Sequence, residues 1–172
     1  MKFTDRLNEM NACPDAVKWV GRRGLMTAWR DCKRADWMLW LAGSLDIDRK
    51  LLVLAACDCA ETALQYVPEG EDRPAKAIQV SRNWCGGTAF IGDVRNAAYA
   101  AANAVYAAAN ATHAVYAAAN ATHAATNAAH AAAHAVYAAT NAATYAAAQK
   151  TCADLVRKRI PLDVISKAWS KQ

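Results

Sequence analysis

The sequence predicts an all-α fold, a compact helical domain of about seven or eight helices that includes a long alanine-rich helical hairpin. Three observations predict it. Only 7 Gly and 4 Pro punctuate 172 residues, too poor a turn vocabulary for a sandwich or barrel. Residues 1–92 divide into short amphipathic segments bounded by helix start and stop residues. Residues 93–150 are dominated by alanine, and their larger side chains recur at heptad spacing. The whole chain, 1–172, is read as one domain in three parts: Trp- and Arg-bearing helices over 1–92, the alanine-rich repeat over 93–150, and basic C-terminal helices over 151–172.

Cys13-Pro14 places proline at a helix start, and Gly21 and Gly24 end that helix. Thr27 is read as the cap of the next helix, which carries Trp29, Trp37 and Trp40 on one face and closes at Gly43. Asp46 or Asp48 opens a third helix from Leu51 to about Tyr66, apolar nearly all round and therefore central. A loop over 67–72 follows, and Asp72 caps a helix with Pro74 in its first turn that ends at Gly86-Gly87. Near the C-terminus, a helix over Thr151–Ile160 ends in Arg157-Lys158-Arg159, where the macrodipole favours cations. Pro161 restarts a last short helix with Leu162, Ile165 and Trp169 as its apolar edge.

The alanine-rich part contains a perfect tandem decapeptide, Ala-Val-Tyr-Ala-Ala-Ala-Asn-Ala-Thr-His, at 104–113 and 114–123. Asn96, Asn103 and Asn110 lie 7 apart, and Tyr99, Tyr106 and His113 follow each by 3. After a slip of three residues the pattern resumes through Asn120, Asn127, His134 and Asn141. One helix across the 54 uncharged residues 96–149 would be about 80 Å long. A globule of this chain length is roughly 40 Å across. The segment must therefore fold back, and the slip between Asn110 and Tyr116 is the expected reversal; a further break is placed near Thr126-Asn127 or Thr140-Asn141. The Asn/Tyr/His stripe either faces solvent or lines a groove, and its lack of charge suits a hydrogen-bonding groove.

The formal net charge is +5 and the pI about 8.9, a balance that favours anionic partners. Mean hydropathy is −0.06, and no run of apolar residues is long enough to span a bilayer. The first residues lack the apolar core of a secretory signal, so the chain is expected in the cytoplasm, of a bacterium or a phage-infected cell. Six cysteines form no paired C-x-x-C framework, and Cys57 and Cys59 point away from one another on a helix. No metal site and no cofactor are expected.

Phosphate-loop, dinucleotide-binding, nucleophile-elbow and zinc-protease motifs are all missing. Asp46 with Asp48 and Asp58 with Glu61 read as helix-start charges rather than as a catalytic pair. The chain is therefore expected not to be an enzyme. The candidate ligand-binding set is Trp29, Arg30, Arg34, Trp37, Trp40, Arg73, Arg82 and Trp84. Indole faces stack on bases, and guanidinium forks take phosphate in pairs of bonds. Tryptophans on one helix face are equally what a core needs, and an arginine beside one can simply pack its stem. If the set is a binding site, Arg30, Arg73 or Arg82 is expected to approach one concave basic pocket; all three pointing separately into solvent with no cavity nearby would count against it.

The runs Ala28-Trp29-Arg30-Asp31-Cys32-Lys33-Arg34-Ala35-Asp36-Trp37-Met38-Leu39-Trp40-Leu41, Leu54-Ala55-Ala56-Cys57-Asp58-Cys59-Ala60 and Glu71-Asp72-Arg73-Pro74-Ala75-Lys76-Ala77-Ile78, the last continuing to Arg82, Trp84 and Gly87, resemble the immunity protein 5-like family. The resemblance spans about residues 12 to 160. It implies an all-helical protein of the group found beside bacterial toxins and in phage genomes, working by stoichiometric binding without catalysis. Two functions follow from it. The favoured one is a phage-type anti-defence sponge that sequesters a small anionic nucleotide-like signal, for which positive charge and Trp-Arg blocks are suited. The alternative is an immunity protein that binds and inhibits a toxin domain. A homo-oligomer is expected, with no membrane association and no stable nucleic acid complex.

Overall fold

Helices of seven residues do not persist alone in water, so the N-terminal segments hold only by burying a face against neighbours. The structure is a computed structural model that describes residues 2–67, 69–107 and 145–171. The expected reversal between Asn110 and Tyr116, the alternative breaks, most of both decapeptides and all four histidines lie outside the described residues. Among the described residues there is no strand, and the fold is all-α. In chain order the helices are α1 (Phe3–Glu9), α2 (Pro14–Val20), α3 (Leu25–Asp31), α4 (Ala35–Ser44) and α5 (Arg49–Glu61), followed by a 3₁₀ turn at Leu64–Tyr66. They continue as α6 (Arg73–Gly86), α7 (Ile91–Ala107), α8 (Tyr145–Arg159) and α9 (Leu162–Ser170).

Helix α5 is central, packed by α4, α6 and α8; α7 lies on α6 and α9 on α3. Its all-round apolar sequence accounts for this place: Val53, Ala55, Ala56, Cys57, Cys59 and Ala60 are all fully buried. Met38 and Leu39 from α4, Val156 from α8, and Ile160 and Ile165 at the C-terminal end complete the core. On α7, Val94 and Ala98 are buried while Asn96 and Tyr99, the first two members of the stripe, are exposed.

Local signals place several ends as expected. Pro14 stands in the first turn of α2, and the Asp48 carboxylate accepts from the Lys50 N–H at 2.8 Å to cap α5. Gly87 takes a left-handed φ of 80° at the end of α6, where a side chain would be strained.

Four expectations are corrected. The helix read from Thr27 to Gly43 is two helices, α3 and α4, parted at Cys32–Arg34; Thr27 is inside the first turn and Gly24 precedes it. Trp29 therefore sits on α3 and Trp37 and Trp40 on α4, not on one helix face. Helix α4 also runs past Gly43: Asp46, at φ 54°, makes the left-handed stop, with the Ile47 N–H bonded to Ala42 O at 3.1 Å. The apolar helix ends at Glu61 rather than Tyr66, where the Thr62 hydroxyl bonds the Cys59 carbonyl at 2.6 Å. Helix α8 begins at Tyr145, so no break separates the alanine-rich part from the basic C-terminal part at residue 151.

The α3–α4 break is held open by α8. Arg157 Nη1 donates to the Cys32 carbonyl at 2.7 Å and the Trp29 carbonyl at 3.1 Å, occupying acceptors that the end of α3 leaves free. Gln149 Oε1 accepts from the Ala35 N–H at 2.9 Å, capping the start of α4, whose own N-cap residue Arg34 makes no side-chain cap bond. One helix thus satisfies both sides of the junction. Arg157→Ala should cost about 2–3 kcal/mol, the range for bonds from a charged donor to otherwise orphaned carbonyls. Urea unfolding checks it, and a loss under about 0.5 kcal/mol would show that water replaces the guanidinium.

Candidate functional site

The candidate residues fall into separate environments. Trp29, Trp37 and Trp40 join Trp19 around a wholly apolar cavity of about 40 Å³, with Phe3 and Leu7 among its other walls. The Trp19 and Trp37 rings stand 5.9 Å apart at 54°. Trp29 is only 2% exposed, and its indole N–H is buried without a partner. This cavity falls far below the roughly 300 Å³ of an ordinary ligand pocket. Trp29 is therefore core, and the half-buried Trp19, Trp37 and Trp40 pack against it around a small apolar hollow.

The arginines do not converge on it. Arg30 is exposed and pairs with Asp31 at 2.9 Å. Arg34 lies 4.4 Å from the Trp37 ring centroid and forks onto Asp36, with Nε–Oδ1 at 2.8 Å. Arg73 forks onto Glu71, with Nε–Oε1 at 2.7 Å, and this bonding holds the Glu71 carboxyl below its usual range. Arg82 binds Asp58 at 3.0 Å and Glu61 at 2.7 Å. Trp84 is half-buried on α6 against the core. Arg30, Arg73 and Arg82 thus each engage a different acidic partner rather than one shared pocket.

The strongest polar constellation was read differently in the sequence. Asp58 and Glu61 are in the last turn of α5, not at a helix start. Asp58 accepts a two-pronged contact from Arg159, Nη2–Oδ2 at 2.7 Å and Nε–Oδ2 at 2.9 Å, as well as the Arg82 bond. It joins α5, α6 and α8 through one carboxylate that is 13% exposed. The Arg82 Nε is buried with no partner. Beside it opens a cleft of about 390 Å³ lined by Asp58, Glu61, Thr62, Leu155, Lys158 and Arg159. The sequence signal for it was weak: an acid pair one turn apart at the end of an apolar helix, and arginines far along the chain.

A second surface feature is apolar. Phe90 is 82% exposed at the corner between α6 and α7, with Ile91 exposed beside it. Val94 and Ala98, buried against α6, fix the helix that presents them. Single exposed hydrophobes are ordinary, whereas adjacent ones on a rigid helix start suit a protein contact.

No helix of the described residues is long and apolar enough to cross a membrane, and none of their His, Cys, Asp and Glu side chains gather in threes to hold a metal. No curated protein and no solved structure matches the chain. A family model described as Imm-5 like putative immunity protein matches residues 45–161. The match takes in the Asp58 cluster and the Phe90 corner and leaves out α1 to α4 and α9. It includes the second and third sequence blocks that carry the resemblance, but not the block at 28–41. Since this span is well over half of the chain, the chain belongs to the Imm-5 like immunity protein family.

Proposed function

We propose that this protein is an immunity protein that binds a toxin protein stoichiometrically and neutralises it without turnover. Family membership over residues 45–161 carries this reading. The exposed Phe90-Ile91 corner supports it, because large apolar side chains presented on a rigid frame supply the anchors of protein interfaces. With a net charge of +5, the chain suits a toxin with an acidic face better than a nuclease whose basic site calls for an acidic inhibitor. A nucleotide sponge has less in its favour. Arg30, Arg73 and Arg82 spend their charge on different carboxylates of the chain itself, and the Trp-lined cavity is too small for a base. A toxin complex also removes the reason to require a homo-oligomer, since the missing contacts come from the partner.

The test is co-expression with a toxin encoded beside a member of this family, followed by titration of the purified proteins. Growth should return, and neutralisation should saturate at a fixed molar ratio with both masses unchanged. Neutralisation by trace amounts with a chemically altered toxin would make the chain an enzyme. Nucleotide released from the heat-denatured chain in proportion to protein would restore the sponge.

A further inference from the structure

The net charge of the chain is gathered in one short stretch. Residues 18–34 hold six Lys and Arg side chains against one acid, Asp31, a net of +5. The remaining residues hold fourteen of each sign and are neutral. In the fold this stretch forms the corner made by the end of α2, all of α3 and the turn into α4. Lys18, Arg22, Arg23, Arg30 and Lys33 are exposed there. Of these five, Arg30 alone pairs with a carboxylate among the described residues, and its partner Asp31 is itself 45% exposed. Such a pair is weak. Asp36, just beyond the stretch, is taken by the Arg34 fork, and Asp15 forms no ion pair with Lys18.

Two further features set this corner apart from an ordinary solvated face. Arg23 lies 4.8 Å from the Trp19 ring and donates to the Trp19 carbonyl, so the turn between α2 and α3 is tied down. Met26 is 59% exposed, and Arg30 follows it by one turn on the same face of α3. Methionine and arginine together are enriched where proteins meet.

We propose that this corner is the docking surface for an acidic face of the toxin, with Lys18, Arg22 and Lys33 steering association and Met26 anchoring the contact. The inference rests on the toxin reading and adds to it the surface used and the charge of the partner. Cations of one sign without acidic partners raise the encounter rate with an oppositely charged protein. The half-buried Trp19 and Trp37 are already faced by Arg23 and Arg34, so no free ring is offered to a base, which favours an acidic protein over a nucleic acid. The corner lies wholly outside the span matched by the family model, residues 45–161, which holds ten cations and nine acids. The charge preference therefore comes from α2 and α3 and not from the family's part of the chain.

The test measures association of the full chain with a purified toxin encoded beside a member of this family, at low and high salt. One variant combines Lys18→Glu, Arg22→Glu and Lys33→Glu. A second combines Arg49→Glu, Lys150→Glu and Lys171→Glu, exposed cations elsewhere, and has the same net charge. The first should associate about tenfold more slowly or worse at low salt, and the second less than about threefold. The difference should shrink at high salt, where exposed charges are screened. Met26→Ala should instead raise the dissociation rate about fivefold. The neutral set Lys18→Gln, Arg22→Gln and Lys33→Gln should slow association in the same direction, which decides the matter even if charge reversal disturbs the fold. Equal losses in the two charge-reversed variants, or no loss in the first, would overturn the proposal and leave the toxin reading standing. Failure of the unsubstituted chain to bind the toxin would defeat that reading, and this one with it. Binding of duplex DNA that depends on Lys18, Arg22 and Lys33, with toxin association unchanged, would assign the corner to nucleic acid and overturn the proposal.

Discussion

Asp58→Ala should destabilise the protein by about 3 kcal/mol, the low end of the range for removing one partner of a buried ion pair. The carboxylate is shared by Arg82 and Arg159, and its loss leaves two guanidinium groups facing each other at the α5–α6–α8 junction. Arg82 and Arg159 keep 29% and 36% of their side-chain surface in water, which moderates the cost. At roughly 2–4 °C per kcal/mol for a chain of this size, the melting temperature should fall by about 6–12 °C. Glu61→Ala should cost less than about 1 kcal/mol, because Glu61 is 57% exposed and screened. The pairing with Arg159→Met in a double-mutant cycle separates the ion pair from lost packing, since two changes on the same contact should cost less than their sum. An Asp58→Ala loss below about 1 kcal/mol would mean that the junction rests on the apolar core alone.

How much of this could be read in the sequence depended on where each interaction's partner lies. Ends set by a local signal were legible: Pro14 opens α2, Asp48 caps α5 through Lys50, and Gly87 stops α6. The all-round apolar character of α5 announced its central place. The α3–α4 break was not legible, because Gln149 and Arg157 supply its caps from more than 100 residues away. Without them an amphipathic stretch containing Cys32-Lys33-Arg34 reads as one helix. Asp58 was misplaced for a related reason: its partners are 24 and 101 residues distant, so only an acid pair near an apolar run could be seen. The sequence did hold one unused clue about the arginines. Asp31, Asp36 and Glu71 stand within two residues of Arg30, Arg34 and Arg73, and each pair closes on itself in the fold. A cation with an acid so near in sequence has a local partner before any ligand arrives.

Trp29 distinguishes a core tryptophan from a binding one, and its substitution should have an effect as large as any in the chain. Trp29→Ala should cost about 3–5 kcal/mol, because it removes a buried indole and enlarges a cavity that is already present. Trp29→Phe should cost only about 1 kcal/mol. It keeps most of the apolar area and discards an indole N–H that has no partner, so no hydrogen bond is lost with it. At 2% exposure the ring cannot meet another molecule without opening the α2–α3–α4 corner. Toxin neutralisation by Trp29→Phe should therefore match the parent in both saturation ratio and dissociation rate. Phe90→Ala should give the opposite pattern: stability within about 0.5 kcal/mol of the parent, as for exposed positions generally, and weakened binding. If Trp29→Phe kept its stability yet lost neutralisation, Trp29 would be a contact residue after all, and the corner around the apolar cavity would have to open to the partner.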